Sequence, residues 1–175
     1  GNSYSDSYFV LADDIDLNGL KWTPIGYWES DTDFSYFKGK FDGKNHTIKN
    51  FYIYSRFNGI FGEIENAELK NINIENVADS EHIYCIQYGK TAFIGGLVGY
   101  VESNSLVENC TFHGTISGDD SYHNGTVGGI VGFMEGNSRI VNCTNYGTIV
   151  KEFRSVGGIV GESHGSVENC VNKGT

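Results

Sequence analysis

Proline is almost absent from this chain, one residue in 175, and no long apolar run falls at helical spacing. Helices are therefore not expected. No signal-peptide pattern, membrane-length span or sorting signal is present. No cysteine pair has CxxC spacing, and none of the five histidines forms HExxH or another i, i+4 pair. Zinc hydrolysis and a CxxC redox motif are excluded on those grounds. Basic residues are scarce: 12 against 22 acidic, a formal net charge of −10. Such a surface repels nucleic acid and anionic lipid, so neither partner is expected, nor membrane insertion.

What the chain has in quantity is glycine, 24 residues, and aromatic side chains, 11 Phe and 11 Tyr. Both fall into two phrases that recur. The first is an apolar residue, any residue, Asn, then an inward-type residue: Ile48-Lys49-Asn50-Phe51, Leu69-Lys70-Asn71-Ile72, Val107-Glu108-Asn109-Cys110, Ile140-Val141-Asn142-Cys143 and Val167-Glu168-Asn169-Cys170. The second precedes each copy: Gly39-Lys40-Phe41-Asp42-Gly43, Asn58-Gly59-Ile60-Phe61-Gly62, Gly95-Gly96-Leu97-Val98-Gly99, Gly128-Gly129-Ile130-Val131-Gly132 and Gly157-Gly158-Ile159-Val160-Gly161. Repetition of this kind marks a repeat architecture.

The asparagines lie 21, 38, 33 and 27 residues apart, an elasticity that a helical repeat would not tolerate. Short Val, Ile and Phe stretches bounded by Gly and Asn are strand-and-turn chemistry. The expected fold is all-β: a right-handed parallel β-helix of about five coils, with like residues stacked about 4.8 Å apart. Residues 1–175 read as one such region, with 1–38 as an opening coil or cap and 39–175 as the repeated coils. Gly1 and the shortened last coil suggest a piece of a longer protein.

Stacking predicts an asparagine ladder at one corner, made of Asn50, Asn71, Asn109, Asn142 and Asn169, because Asn tolerates left-handed backbone angles and its amide can bond the amide above and below. The next position predicts a buried column of Phe51, Ile72, Cys110, Cys143 and Cys170. Its thiols are expected to be free, buried small hydrophobes, with Cys85 outside the pattern. The Gly phrases supply room where the coil turns or segments approach. They are not phosphate loops, since no Lys-Ser/Thr and no helix start follows.

These phrases resemble the GLUG-repeat family of bacterial surface proteins. The resemblance extends to Tyr8-Phe9-Val10-Leu11-Ala12-Asp13-Asp14-Ile15-Asp16-Leu17-Asn18-Gly19, Trp22-Thr23-Pro24-Ile25-Gly26 and the segment from Phe37 to Ile48. It implies a right-handed parallel β-helix in large secreted or wall-attached proteins, including adhesins and the N-terminal parts of IgA-specific metallopeptidases. The localisation it implies is the bacterial cell surface or the extracellular space.

Two function classes follow. One is a non-catalytic extracellular module, an adhesin segment or rigid spacer displaying loops. The alternative is the accessory, substrate-holding part of a secreted enzyme, such as an IgA-specific metallopeptidase or a glycan-active protein. No catalytic residue is assigned and no metal or cofactor is expected. Asp14-Ile15-Asp16-Leu17-Asn18-Gly19 opens like a calcium loop, but its twelfth position is Ile25 where a bidentate Glu is needed; an alternating strand followed by an Asn-Gly turn explains it better. Candidate binding residues sit in the insertions that break the repeat: Trp28, Tyr36, Tyr84, Tyr88, Asp119, Asp120, Tyr122 and His123. Aromatic rings with polar neighbours suit a host protein or a glycan. Asp119, Asp120 and His123 are also the nearest approach to an acid–base cluster, a solvated loop being the simpler reading. Trp28 and Tyr36 equally fit a cap on the open end of the stack. Alone, the chain is expected to be a monomer.

Overall fold

The short apolar stretches become short strands in the computed structural model, which describes residues 4–5, 7–26, 35–55, 57–76, 82–85, 92–118, 125–150 and 153–175. Among these residues every regular element is a strand, and every strand pairing is parallel. Four sheets result. The first orders Tyr8–Val10, Lys40–Asp42, Glu68–Lys70, Leu106–Glu108, Arg139–Val141 and Ser166–Glu168 side by side. The second runs from Ile15–Lys21 through Thr47–Ser55, Asn73–Asn76 with His82–Cys85, Thr111–Gly118, and Thr144–Asn145 with Thr148–Ile149, to Val171–Asn172. Phe57–Asn58, Ala92–Gly95, Gly125–Gly128 and Ser155–Gly157 make the third. Phe61–Ile64, Val98–Val101, Val131–Met134 and Val160–Ser163 make the fourth.

The chain visits these sheets in a fixed order and then repeats, so each strand pairs with its equivalent one repeat away: Val107 lies between Leu69 and Ile140, and Ile140 beside Val167. That is the layout of a β-solenoid. The opening segment takes part in it, Tyr8–Val10 pairing with Lys40–Asp42 and Ile15–Lys21 with the strand from Thr47. Inward positions make one continuous core. Leu69, Val107 and Ile140 line the first sheet, Phe61, Val98 and Val131 the fourth, Ile94 and Val127 the third, and Ile74 and Phe112 the second; all are buried.

The Gly phrase is needed for space. At Gly132 a Cβ would overlap the Ile94 nitrogen and the Gly99 carbonyl oxygen; at Gly99 it would stand 2.9 Å from the Gly62 and Phe93 oxygens; at Gly161 it would be 2.7 Å from those of Gly132 and Val127. The outer surfaces of the third and fourth sheets therefore meet backbone to backbone at an inner corner. Gly96, Gly129 and Gly158 face the other way, where a Cβ would overlap Phe112, Asn145 and Asn172 in turn. None of these six needs a left-handed backbone.

At the corner after the first sheet, Asn71, Asn109, Asn142 and Asn169 are left-handed, with φ of 52° to 55°. Asn142 Nδ2 donates to Asn109 Oδ1 and Asn109 Nδ2 to Asn71 Oδ1, each at 3.2 Å, and Asn71 Nδ2 reaches Asp42 Oδ1 at 2.9 Å. Asp42 also accepts from the Lys44 amide and from Tyr8 Oη. The Asn71 amide first, then Lys44, hold its carboxyl well below the ordinary carboxylate range.

Asn50 and Phe51 need correcting, because neither is in the stack assigned to it. Asn50 lies within the strand Thr47–Ser55, left-handed at φ 59°, and donates to Asp16 Oδ1 at 2.9 Å. It matches the bulge at Asn18 and Gly19, where the pairing register shifts between Asp16 and Leu20. Asn18-Gly19 is thus a bulge inside the strand Ile15–Lys21 rather than a turn ending it. In this coil the corner is turned by Lys44 and Asn45, both left-handed, with the Gly43 amide bonding the Lys70 carbonyl. Gly39-Lys40-Phe41-Asp42-Gly43 is accordingly a first-sheet segment, and Pro24-Ile25-Gly26 fills the Gly-phrase place, Ile25 bridging Phe61. Phe51 is buried, but beside Leu20 rather than above Ile72. Cys110 and Cys143 are buried free thiols, whereas Cys170, in the last coil, is only half-buried because no further coil covers it here.

Candidate functional site

Beyond the last Gly of each Gly phrase, the chain sets two residues around a core-facing one before it turns to the first sheet. They are Glu63 and Glu65 about buried Ile64, Tyr100 and Glu102 about Val101, Phe133 and Glu135 about Met134, and Glu162 and His164 about Ser163. Parallel register aligns Glu63, Tyr100, Phe133 and Glu162 in one column. Backbone bonds align the other: Glu102 N–H donates to the Ile64 carbonyl, Glu135 N–H to that of Val101 and His164 N–H to that of Met134, all at 2.8 Å, while Glu65 N–H reaches the Phe37 carbonyl at 3.1 Å. Phe37 bridges Ile64, so Tyr36 and Lys38 head the two columns. One flank of the solenoid thus carries five carboxylates, one lysine and one histidine.

The aromatic rings form its floor. Tyr100 and Phe133 stack almost parallel with centroids 5.3 Å apart, and Phe93 comes across the inner corner from the third sheet to within 5.2 Å of Tyr100 and 5.0 Å of Phe133. His164 meets Phe133 edge-on at 5.4 Å. Tyr100 Oη donates to Glu135 Oε1 at 3.0 Å. Lys38 pairs with Glu65 and lies 5.5 Å over the Tyr36 ring, and His164 Nε2 is 3.7 Å from Glu162 Oε1.

Burial, then the charges of Glu135 and Glu65, push the Glu102 carboxyl up. Burial, then the bond to Glu135 and the charge of Glu102, raise the Tyr100 phenol as well. A solenoid that stacks like on like gains from columns of Asn or Val and loses from columns of Glu. The sign follows directly. A carboxyl raised by folding favours the native state in acid and opposes it once pH rises through the folded value. Glu102→Gln is therefore expected to raise the unfolding midpoint at neutral pH, the gain shrinking as pH falls through the raised folded value and vanishing below the ordinary Glu range; a loss of stability at neutral pH would contradict the stacking.

Of the residues singled out from sequence, Tyr36 belongs to this flank. Tyr84 does not: it lies on the strand His82–Cys85 of the second sheet, stacked on Tyr54 at 5.4 Å, rather than in a loop. Trp28, Tyr88, Asp119, Asp120, Tyr122 and His123 lie outside the described residues. Sequence reading missed Glu63, Glu65, Tyr100, Glu102, Phe133, Glu135, Glu162 and His164. The signal was there, one and three places after the final Gly of four phrases, and the varied residue types hid it.

The described residues that could approach a cation together are Asp13, Asp14 and His46. Asp14 Oδ1 already accepts from the Thr47 amide at 2.9 Å and sits 3.2 Å from His46 Nδ1, and Asp16 Oδ1 is taken by the Asn18 amide and Asn50. These oxygens serve as caps, and the Thr47 amide first lowers the Asp14 carboxyl.

Residues 94–117 match the GLUG motif, a segment that runs from the third sheet through Tyr100, Glu102 and Asn109 to the second. No curated protein and no solved structure matches the chain.

Proposed function

We propose that this chain, carrying a GLUG motif at residues 94–117, is a non-catalytic module of a secreted or surface-attached bacterial protein and works in adhesion. On this reading it is a right-handed parallel β-helix of about five coils whose flank holds a host protein or glycan. The observation that carries the proposal is the double column from Tyr36 and Lys38 to Glu162 and His164. It combines apolar ring area with carboxylates whose mutual repulsion costs stability, a combination that a plain spacer has no reason to keep. The rings supply contact area and the carboxylates fix orientation.

A screen of immobilised host proteins and glycans tests it. Capture by the native chain is expected to fall at least tenfold in a Tyr100→Ala, Glu135→Gln double variant and to be unchanged by Tyr84→Ala on the second sheet. Capture indifferent to the double variant would move the binding face elsewhere, and no capture at all would favour the spacer. No turnover of peptide or glycan is expected. Hydrolysis that survives repurification and disappears in Glu102→Gln would replace this reading with an enzymatic one.

A further inference from the structure

We infer that the flank takes a lysine- or arginine-rich segment of a partner protein, laid along the two columns with its cationic heads among the carboxylates and against the rings. This rests on the reading of the flank as the contact face and goes one step further, choosing a basic polypeptide over a glycan. The chain itself shows how a cation sits there. Lys38 pairs with Glu65 and lies 5.5 Å over the Tyr36 ring. The ring belongs to one column, the lysine to the other, and the carboxylate stands one coil further along. Two coils on, the aligned places hold Tyr100, Glu102 and Glu135. Ring and next-coil carboxylate recur, but a second carboxylate stands where the lysine was. The arrangement that holds an internal ammonium at the head of the flank is thus repeated in its middle with a cation's place taken by negative charge. Ammonium and guanidinium groups gain from carboxylates and from aromatic rings alike.

Charge and spacing select the occupant. Within the two columns only Lys38 and His164 are basic, and they stand at opposite ends; the ring that closes the corner from the third sheet, Phe93, brings no charge. Burial, then the charges of Glu135 and Glu65, already push the Glu102 carboxyl up, and a bound cation relieves that repulsion. The carboxylates do not converge as a metal site requires. Among the described residues the group whose ligand atoms all lie within 4.8 Å of one another is Asp13, Asp14 and His46, away from this flank. Glu65, Glu102 and Glu135 instead follow one another coil by coil, a step of about 4.8 Å. A file of that kind suits several cationic side chains carried on one backbone, whereas an uncharged sugar would leave the repulsion in place.

Fluorescence anisotropy of a labelled peptide of alternating lysine and serine reads it out, since alternation puts every lysine on one face of an extended chain. The native chain should bind this peptide, more weakly as salt is added, and should not bind the matching peptide of glutamate and serine. A Glu102→Gln, Glu135→Gln double variant should lose about tenfold or more in affinity. An Asp13→Asn, Glu75→Gln double variant removes the same two charges from exposed places elsewhere, and should change affinity by less than about twofold. Because Glu102→Gln is expected to gain stability, binding lost with it is not lost fold. Lys38→Ala takes away the internal competitor for Glu65 and should tighten the peptide about threefold. A lysine peptide that does not bind, equal losses in the two double variants, or weaker binding by Lys38→Ala would each overturn the inference. Capture in the host-protein and glycan screen that still depended on Tyr100 and Glu135 would then keep the flank as the contact face for a partner of other chemistry; capture indifferent to them would remove both readings.

Discussion

Gly132→Ala is expected to destabilise the fold by about 3 kcal/mol or more, at the upper end of what overpacking costs. The added methyl would fall on the Ile94 nitrogen and the Gly99 carbonyl oxygen, and 2.9 Å from the Ile94 carbonyl carbon. All three atoms are backbone, in the one neighbouring coil, so no side chain can swing away to make room. Relief requires the third and fourth sheets to separate at their inner corner, which would also move Phe93 off Tyr100. The control is Gly136→Ala, where the nearest atom to an added methyl is 3.8 Å away; there the unfolding midpoint should hardly move. Equal effects of the two substitutions in chemical denaturation would show that the sheets do not meet at Gly132.

Asn142→Ala should cost about 2 kcal/mol, from two sources that a second variant separates. Asn142 sits at φ 55° and donates to Asn109. Alanine loses the bond and is strained in the left-handed region, whereas glycine loses only the bond. Asn142→Gly should therefore recover about half the loss. Were glycine as damaging as alanine, the lost stability would lie almost wholly in the side-chain bond; were alanine harmless, the corner would not be left-handed.

The strand-and-turn character, the parallel stacking and the Asn corner from Asn71 onward could all be read from the chain, because each depends on residue types repeated at matched positions. The first coil misled for a physical reason. Ile48-Lys49-Asn50-Phe51 carries the same pattern as the ladder phrases, but Asn50 serves a bulge set by Asp16, and Lys44 with Asn45 turns the corner instead. Two smaller amide contacts, Asn104 to Asn66 and Asn145 to Asn172, also escaped, although Asn145 and Asn172 sit in matching phrases, each three places after a ladder asparagine. The acidic flank escaped for the opposite reason. Its positions are regular, but Glu, Tyr, Phe and Glu take turns in one column, and only register shows that they touch. The insertions drew notice because rings stood out there, while the columns beside the Gly phrases hold comparable rings in an ordered array.

One coil lies on the next in parallel register, and that stacking is also what assembles the flank. Nuclear Overhauser contacts of the Glu135 amide test this most directly. The structure has that amide donating to the Val101 carbonyl at 2.8 Å, so strong cross-peaks to Val101 and Glu102, more than thirty positions earlier in the sequence, are expected. Cross-peaks instead to strands only a turn away, in the antiparallel pattern of a hairpin, would contradict the stack and dissolve the flank with it.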